Sequence, residues 1–167
     1  MAAAATAFDA HEFRRALGMF PTGVAVVSTR ASSGAFVGLT VNSFSSLSLD
    51  PPLVLWSLNA ASPSLPVFDR APYFAVNVLA EDQVELSKRF ASHVPSKFAH
   101  LEVHAGINEL PLIAGCAAHL QCRTYARHNG GDHVLFIGHV ERFHYELHRR
   151  PLVFYRGRYL TAGTDIA

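Results

Sequence analysis

The chain has 167 residues, half of them hydrophobic and only 16% charged, with a formal charge of +1. That composition fits one folded domain with a sizeable core and excludes a disordered chain. The near-neutral balance carries no basic block, so non-specific nucleic-acid binding, which needs clustered Lys and Arg, has no support.

The first residues, MAAAATAFDAHEF, lack the basic and long apolar segments of a signal peptide. The apolar runs are short and broken by polar residues, so no membrane span is expected. Cys116 and Cys122 are too few for a disulfide framework. They stand six apart in a strand-like run, on one face by parity, and read as buried free thiols. A cytoplasmic location is the expectation.

Residues 1–8 read as a disordered tail and 9–162 as one domain. Asp9 is placed to cap a short helix running to about Leu17, with Phe13 and Leu17 four apart on one face. Gly18 and Pro21 end it. GVAVVSTR (23–30) is a strand. A turn around Ser32–Gly34 leads into the β-rich run AFVGLTVNSFSSLSL (35–49), which Asp50-Pro51-Pro52 breaks before the strand LVLWSL (53–58). NAASPSLPVFDR (59–70) predicts a loop and a short helix, with Ser62 as N-cap and Pro63 in the first helical position.

YFAVNVL (73–79) is a strand and EDQVELSKRFA (81–91) a helix. Glu81 and Asp82 fall in its first turn and Lys88 and Arg89 in its last, as the helix dipole favours. Residues 92–111 look irregular apart from a helical piece near Ser96–His100. AAHLQCRTYARH (117–128) and HVLFIGHVERFHY (133–145) are strands joined by the hairpin signal Asn129-Gly130-Gly131-Asp132. A period of two puts Ala118, Leu120 and Cys122 on one face and His119, Gln121 and Arg123 on the other. A last strand covers about 152–160.

About seven strands therefore stand against two or three helices, and most strands follow one another directly. This predicts a mainly β, antiparallel barrel or sandwich. No GxGxxG follows a strand, which argues against a dinucleotide-binding Rossmann unit.

Four features could carry chemistry. The first is the hydroxyl-rich stretch Thr40, Asn42, Ser43, Ser45, Ser46 and Ser48. It is either a polar face gripping a planar ligand or a strand face turned to water. The second is Asn77, within an apolar strand: a water-facing edge, or a buried amide bonded to a ligand or to backbone. The third is Ser62-Pro63-Ser64 before a helix, which could bind phosphate or simply cap. Lys88-Arg89 could add counter-charge there or be a solvated helix end. The fourth is histidine, ten in all. His139, His144 and His148 invite a metal, but parity turns His139 and His144 to opposite faces. HExxH and CxxC are both absent, so no metal site is assigned. Nor does a GxSxG or Ser-His-Asp order stand out.

Taken together, FPTGVAVVST (20–29), GLTVNSFSSLSLDPPLVLWSL (38–58), FAVNVLAEDQVELSKRFA (74–91) and GDHVLFIGHVERF (131–143) resemble the short-chain flavin reductases. These are the reductase components of two-component flavin monooxygenases. The likeness runs from about Phe13 to Tyr159, and TVNSFSSLSLDPPLVL is its most specific string.

The resemblance implies an FMN-binding split barrel, a Greek-key-like antiparallel barrel with flanking helices. It implies hydride transfer from NADH or NADPH to FMN or FAD. The expected partners are an oxygenase that receives reduced flavin and a second copy of the chain in a homodimer. Thr40, Val41, Asn42, Ser43, Phe44, Ser45 and Ser46 would run along the flavin ring. Ser57, Leu58, Asn59, Ser62 and Ser64 would approach the ribityl chain and phosphate. Asn77 would lie near the flavin, and Ser87, Lys88, Arg89 and Phe90 near the phosphate or the adenine half of FAD. His133 would sit beside the nicotinamide, positioning it rather than acting as an obligate acid. Tyr155, Arg156 and Tyr159 would line the site. The alternatives are a split-barrel oxidase or electron carrier with tightly held FMN, a reductase of another acceptor, and a non-catalytic flavin-binding module.

Overall fold

The computed structural model describes residues 8–163, so the expected tail falls, apart from Phe8, outside the described residues. In chain order the elements are α1 (Ala10–Leu17), β1 (Thr22–Gly23), β2 (Ala25–Arg30), β3 (Phe36–Val41), β4 (Ser45–Leu49) and β5 (Pro52–Asn59). There follow α2 (Leu65–Arg70), β6 (Tyr73–Val78), α3 (Val84–Ala91), β7 (Val103–Ala105) and β8 (Pro111–Ile113). The long hairpin β9 (Ala118–Gly130) and β10 (His133–Tyr145) precedes β11 (Leu152–Tyr155) and β12 (Arg158–Thr161). The mainly β, antiparallel expectation holds.

Seven strands form one sheet in the order β3-β2-β6-β9-β10-β5-β4. The two edge strands, β3 and β4, are consecutive in the chain and joined only by Asn42-Ser43-Phe44. Four residue steps span at most about 14 Å, so the sheet must curl until its edges nearly meet. The barrel closes at this seam. The single strand expected over 35–49 is thus two strands on opposite sheet edges. No periodicity within the run could show that, because only the pairing partners differ.

Pleat alternation fills the interior. Val54, Trp56 and Leu58 of β5 are buried, as are Phe74 of β6, Cys122 of β9 and Phe136 of β10. The Trp56 ring stacks on Phe136 at 4.7 Å and meets Phe68 and Phe74 edge-on at 5.1 and 5.7 Å. Each such ring contributes roughly 1.5–3 kcal/mol of burial. Gly138 is required here: a Cβ would lie 2.4 Å from Phe74 Cζ. β2 is buried from Ala25 to Thr29 because both its faces are covered. Ala25 and Val27 join the barrel core, while Val24 and Val26 join a second cluster with Leu79, Phe90, Ile113, Cys116 and Leu152.

Several local expectations shift. Cys116 lies in the turn before β9, and the two buried thiols belong to different clusters rather than to one strand face. Burial pushes each thiol up to about 12. Helix α3 begins at Val84, so Glu81 and Asp82 precede it. The Glu81 amide donates to the Arg150 carbonyl and Ala80 bridges Pro151, while the Gln83 amide donates to the Ala80 carbonyl at 2.9 Å, so Glu81 and Asp82 form a turn ahead of the helix. Helix α2 begins at Leu65 with Ser64 as N-cap and Pro66 in its first turn. Ser62 instead accepts the Ser64 amide through its hydroxyl at 3.3 Å. The piece at 96–100 is a turn, and the region after it folds into β7 and β8. The final strand is a hairpin reversing at Arg156-Gly157, both at positive φ.

The parity argument for His139 and His144 also fails. A bulge between Val140 and Arg142 inserts one residue into β10. His139 pairs with Arg123 and His144 with His119, which share one face of β9. Directly opposed residues share a face, so the two histidines face the same way. Even so, no group of three or more metal-ligating side chains converges among the described residues.

Candidate flavin and nicotinamide site

The seam places the hydroxyl-rich stretch where two sheet edges meet. Thr40 Oγ1 donates to the Ser87 carbonyl at 2.7 Å, tying β3 to α3. Ser43 bridges the gap: its hydroxyl accepts the Ser57 amide at 3.0 Å and donates to the Ser57 carbonyl at 3.2 Å. Val41 is buried and Phe44 packs on the barrel core. Ser45 Oγ turns back to the Ser46 carbonyl. The Asn42 amide and Ser46 hydroxyl are exposed, with no hydrogen-bond partner among the described residues. The stretch is therefore neither a plain solvent face nor a buried one. Part of it locks the seam and part is left free.

Strand register brings the second motif to the same place. His133 pairs with Asn59, Val134 with Leu58 and Leu135 with Ser57. The Ala60 amide donates to the Asp132 carbonyl at 2.9 Å. The β5 end that follows the seam and the Gly131-Asp132-His133 turn are thus one structural unit. His133 Nδ1 lies 2.7 Å from Asp132 Oδ1. That bond holds the Asp132 carboxyl below the usual carboxylate range. With Nδ1–H committed to Asp132, Nε2 is the ring atom left to meet a ligand. Leu58 is buried in the core and supplies backbone only, while Asn59 Oδ1 accepts the Ala61 amide.

Helix α3 closes a third side. Ser87 is buried, and its hydroxyl lies 2.9 Å from the Tyr159 hydroxyl, which joins the β11–β12 hairpin to the group. Two residues expected near the phosphate are committed elsewhere. Lys88 pairs with Glu85 at 2.6 Å, and Arg89 donates to the Ser96 and Ala99 carbonyls at 3.1 and 2.6 Å. Phe90 is buried against Gly38 and Phe98. Tyr155 is half-buried and Arg156 exposed.

Asn77 does not join the site. It is fully buried, its Nδ2 donates to the Val26 carbonyl and Ser28 Oγ, and its Oδ1 accepts the Ile113 amide. With each bond made to protein, the amide clasps β2, β6 and β8 together. The backbone-bonded alternative is the one realised.

Lys97 was not legible in the sequence. It is half-buried beside Ser64 in a cleft of about 560 Å³ whose walls include Phe36, Gly38 and Phe98. That size lies inside the roughly 300–1,000 Å³ range of ligand sites. Its ammonium donates to the Phe90 carbonyl at 2.8 Å, and burial lowers its pKa. A lone Lys in an irregular segment gives no periodic signal, so only the tertiary fold shows it beside Ser64. The donor set is chemically consistent with a flavin phosphate compound: neutral amide and hydroxyl donors along the seam, and one cation at the Ser64 end.

A closed antiparallel barrel with such a seam defines the class: a split-barrel protein. Residues 17–163 match the flavin reductase like domain, and the chain belongs to that family. It is a flavin reductase.

The chain is 41% identical over 164 residues to the reductase subunit HsaB of a flavin-dependent monooxygenase from Rhodococcus jostii, covering 98% of this chain and 84% of that protein. It is 44% identical to the FMN reductase (NADH) SmoA of Agrobacterium fabrum, covering 80% of this chain and 76% of that protein. Among solved structures it resembles the NADH:FAD oxidoreductase SgcE6 of Streptomyces globisporus, in complex with NAD and FAD fragments. The TM-score is 0.89 at 36% identity, covering 95% of this chain and 96% of that one. Among the described residues no helix is long and apolar enough to cross a membrane.

Proposed function

We propose that the chain oxidises NADH and reduces free flavin, FMN or FAD, for delivery to a partner monooxygenase. The observation that carries this reading is the register of β5 on β10, which seats His133 against Asn59 at the seam. The nicotinamide and the flavin supply the hydride chemistry between them. The protein's task is to hold two planar rings at near-attack distance and exclude water.

In this reading Asn42 and Ser46 present neutral donors to the flavin ring edge. Neutral donors stabilise charge that grows there without holding the product as tightly as a cation would. That suits a flavin that must leave. Ser62, Ser64 and Lys97 take the phosphate end. His133, oriented by Asp132, positions the nicotinamide through Nε2. Support for NADH as the hydride source comes from the names of two relatives, the FMN reductase (NADH) from Agrobacterium fabrum and the NADH-dependent FMN reductase AsuE2 from Streptomyces nodosus.

A homodimer is part of the proposal. On the barrel's outer face Leu53 and Leu55 of β5 lie beside Leu135 and Ile137 of β10, whose neighbours Trp56 and Phe136 fill the core. His139 follows on that same side of β10, and its Nδ1 is buried without a partner among the described residues. A second copy covering this band would shield the aliphatics and supply the missing partner.

The test is turnover. Purified protein is mixed with NADH and an excess of FMN, FAD or riboflavin, and nicotinamide absorbance is followed. Many turnovers per enzyme support the reading. Oxidation confined to a single flavin equivalent would refute release of free reduced flavin.

A further inference from the structure

A second cluster of cations stands apart from the seam. The last turn of α1 carries Arg14 and Arg15, and the β11–β12 turn carries Arg156. All three line one cleft of about 540 Å³ together with His11, Glu12, Gly18 and Met19. Glu12 is its one carboxylate, and it is taken by Arg15 at 3.0 Å. Among the described residues, Arg14 and Arg156 have no carboxylate partner within 4.0 Å. Basic residues in a helix's last turn are explained by the dipole. A third guanidinium brought from another element is not.

The position of Arg156 is itself informative. Arg156 and Gly157 have φ of 49° and 76°, the two-residue hairpin turn that favours Asn-Gly. The left-handed region disfavours Arg relative to Asn or Gly, so the turn does not explain the residue. The turn is also fixed in place. The Arg156 amide donates to the Gly18 carbonyl at 3.1 Å, and a Cβ on Gly18 would lie 3.7 Å from Arg156 Cα. Helix end and hairpin tip therefore meet at one junction, and arginines of both elements line the same cleft.

We infer that this cleft binds the pyrophosphate of an adenine dinucleotide, through Arg14 and Arg156. The inference rests on the reductase reading and extends its site. Guanidinium forks suit paired phosphate oxygens, and the Met19 side chain offers an apolar surface for a base. The cleft is within reach of the flavin region. The turn lies about 7 Å, two strand residues, from Tyr159, whose hydroxyl meets Ser87. Pyrophosphate occurs in both FAD and the nicotinamide dinucleotide, and the kinetics separate the two sources.

The decisive probe is ADP-ribose, which carries the pyrophosphate and no redox ring. Calorimetric titration of wild-type protein should show binding that weakens as salt is raised. Arg156→Asn and Arg14→Gln should each raise the Kd about tenfold. Arg156→Asn should also unfold no earlier than wild type, since Asn suits the turn; if it fails to fold, Arg14→Gln decides alone. A KM increase for FAD but not FMN assigns the cleft to FAD, and a KM increase for NADH with every flavin assigns it to the hydride donor. ADP-ribose binding that is absent, or unchanged in both variants, overturns the inference. Wild-type protein that binds ADP-ribose but oxidises no NADH would instead overturn the reductase reading and leave the cleft standing.

Discussion

Two regions of this molecule are rich in polar side chains, and they behave oppositely. At the seam, between β3 and β4, hydroxyls and amides are divided: Thr40 and Ser43 lock the barrel shut, while Asn42 and Ser46 face out uncommitted. The histidine-rich cleft holds His104, His119, His144 and His148 beside Cys116, Glu146 and Arg149. It is more conspicuous in composition, but its polar groups are mostly spent on protein partners. His144 bonds Glu146 at 2.9 Å, His119 meets the Ile113 carbonyl at 2.8 Å, and Arg149 bonds Asp82 at 3.1 Å. A ligand site needs donors left over after the fold has been satisfied. Residue type alone does not reveal which remain.

The largest effect is expected at Asn77, which the resemblance put near the flavin and the structure puts in the core. Asn77→Ala removes three buried hydrogen bonds and strands the Ile113 amide. The expected loss is about 3 kcal/mol, read as a melting temperature lowered by roughly 10 °C. An unchanged melting curve with weakened flavin binding would return Asn77 to the site.

Next comes His133. His133→Ala should lower kcat/KM for NADH about tenfold, mostly through KM, as loss of a positioning contact does. Stopped-flow flavin reduction should slow with it. His119→Gln, in the other region, should leave both unchanged. Equal effects from the two substitutions would erase the distinction drawn here.

Lys97→Met should raise KM for FMN up to tenfold while leaving riboflavin unaffected, since only FMN carries a phosphate for the ammonium to meet. A parallel loss with riboflavin would mean that Lys97 serves only to cap α3.

The smallest effect is one of pH. Burial holds the His119 imidazole below its ordinary range; the Ile113 carbonyl opposes this, His144 and His104 reinforce it, and Glu146 opposes it. Cys116, His148 and Arg149 line the same cleft. The unfolded chain therefore binds this proton more readily than the folded one. Stability should decline as pH falls below about 6.5 and be indifferent to this group above it. His119→Gln should flatten that limb of the melting-temperature profile; a limb of unchanged slope would remove His119 as its cause.

Much of the fold was legible because it depends on local pattern. Runs of β-rich apolar residues marked β2, β5, β6, β9 and β10, and Asp9 does cap α1, its carboxylate accepting the His11 amide at 2.8 Å. What failed depended on partners distant in sequence. Helix α3 starts late because contacts with Arg150 and Pro151 hold Glu81 and Ala80 in the turn that precedes it. The His139–His144 parity broke at a bulge that only the β9 partner defines. The seam string and the His133 turn were named through the family resemblance, and the register of β5 on β10 brings them together. The commitments of Lys88, Arg89 and Asn77, and the placement of Lys97, are matters of which neighbour arrives across the barrel.

By itself the sequence determined the strand-rich class and the stretch where hydroxyls concentrate, because β-rich runs and turn chemistry act over a few residues. Only the tertiary structure decided that the 35–49 run splits onto opposite sheet edges. It also decided which polar groups remain free there and that three arginines from two ends of the chain share one cleft. Those outcomes follow from closing the barrel, which joins residues that no local pattern connects.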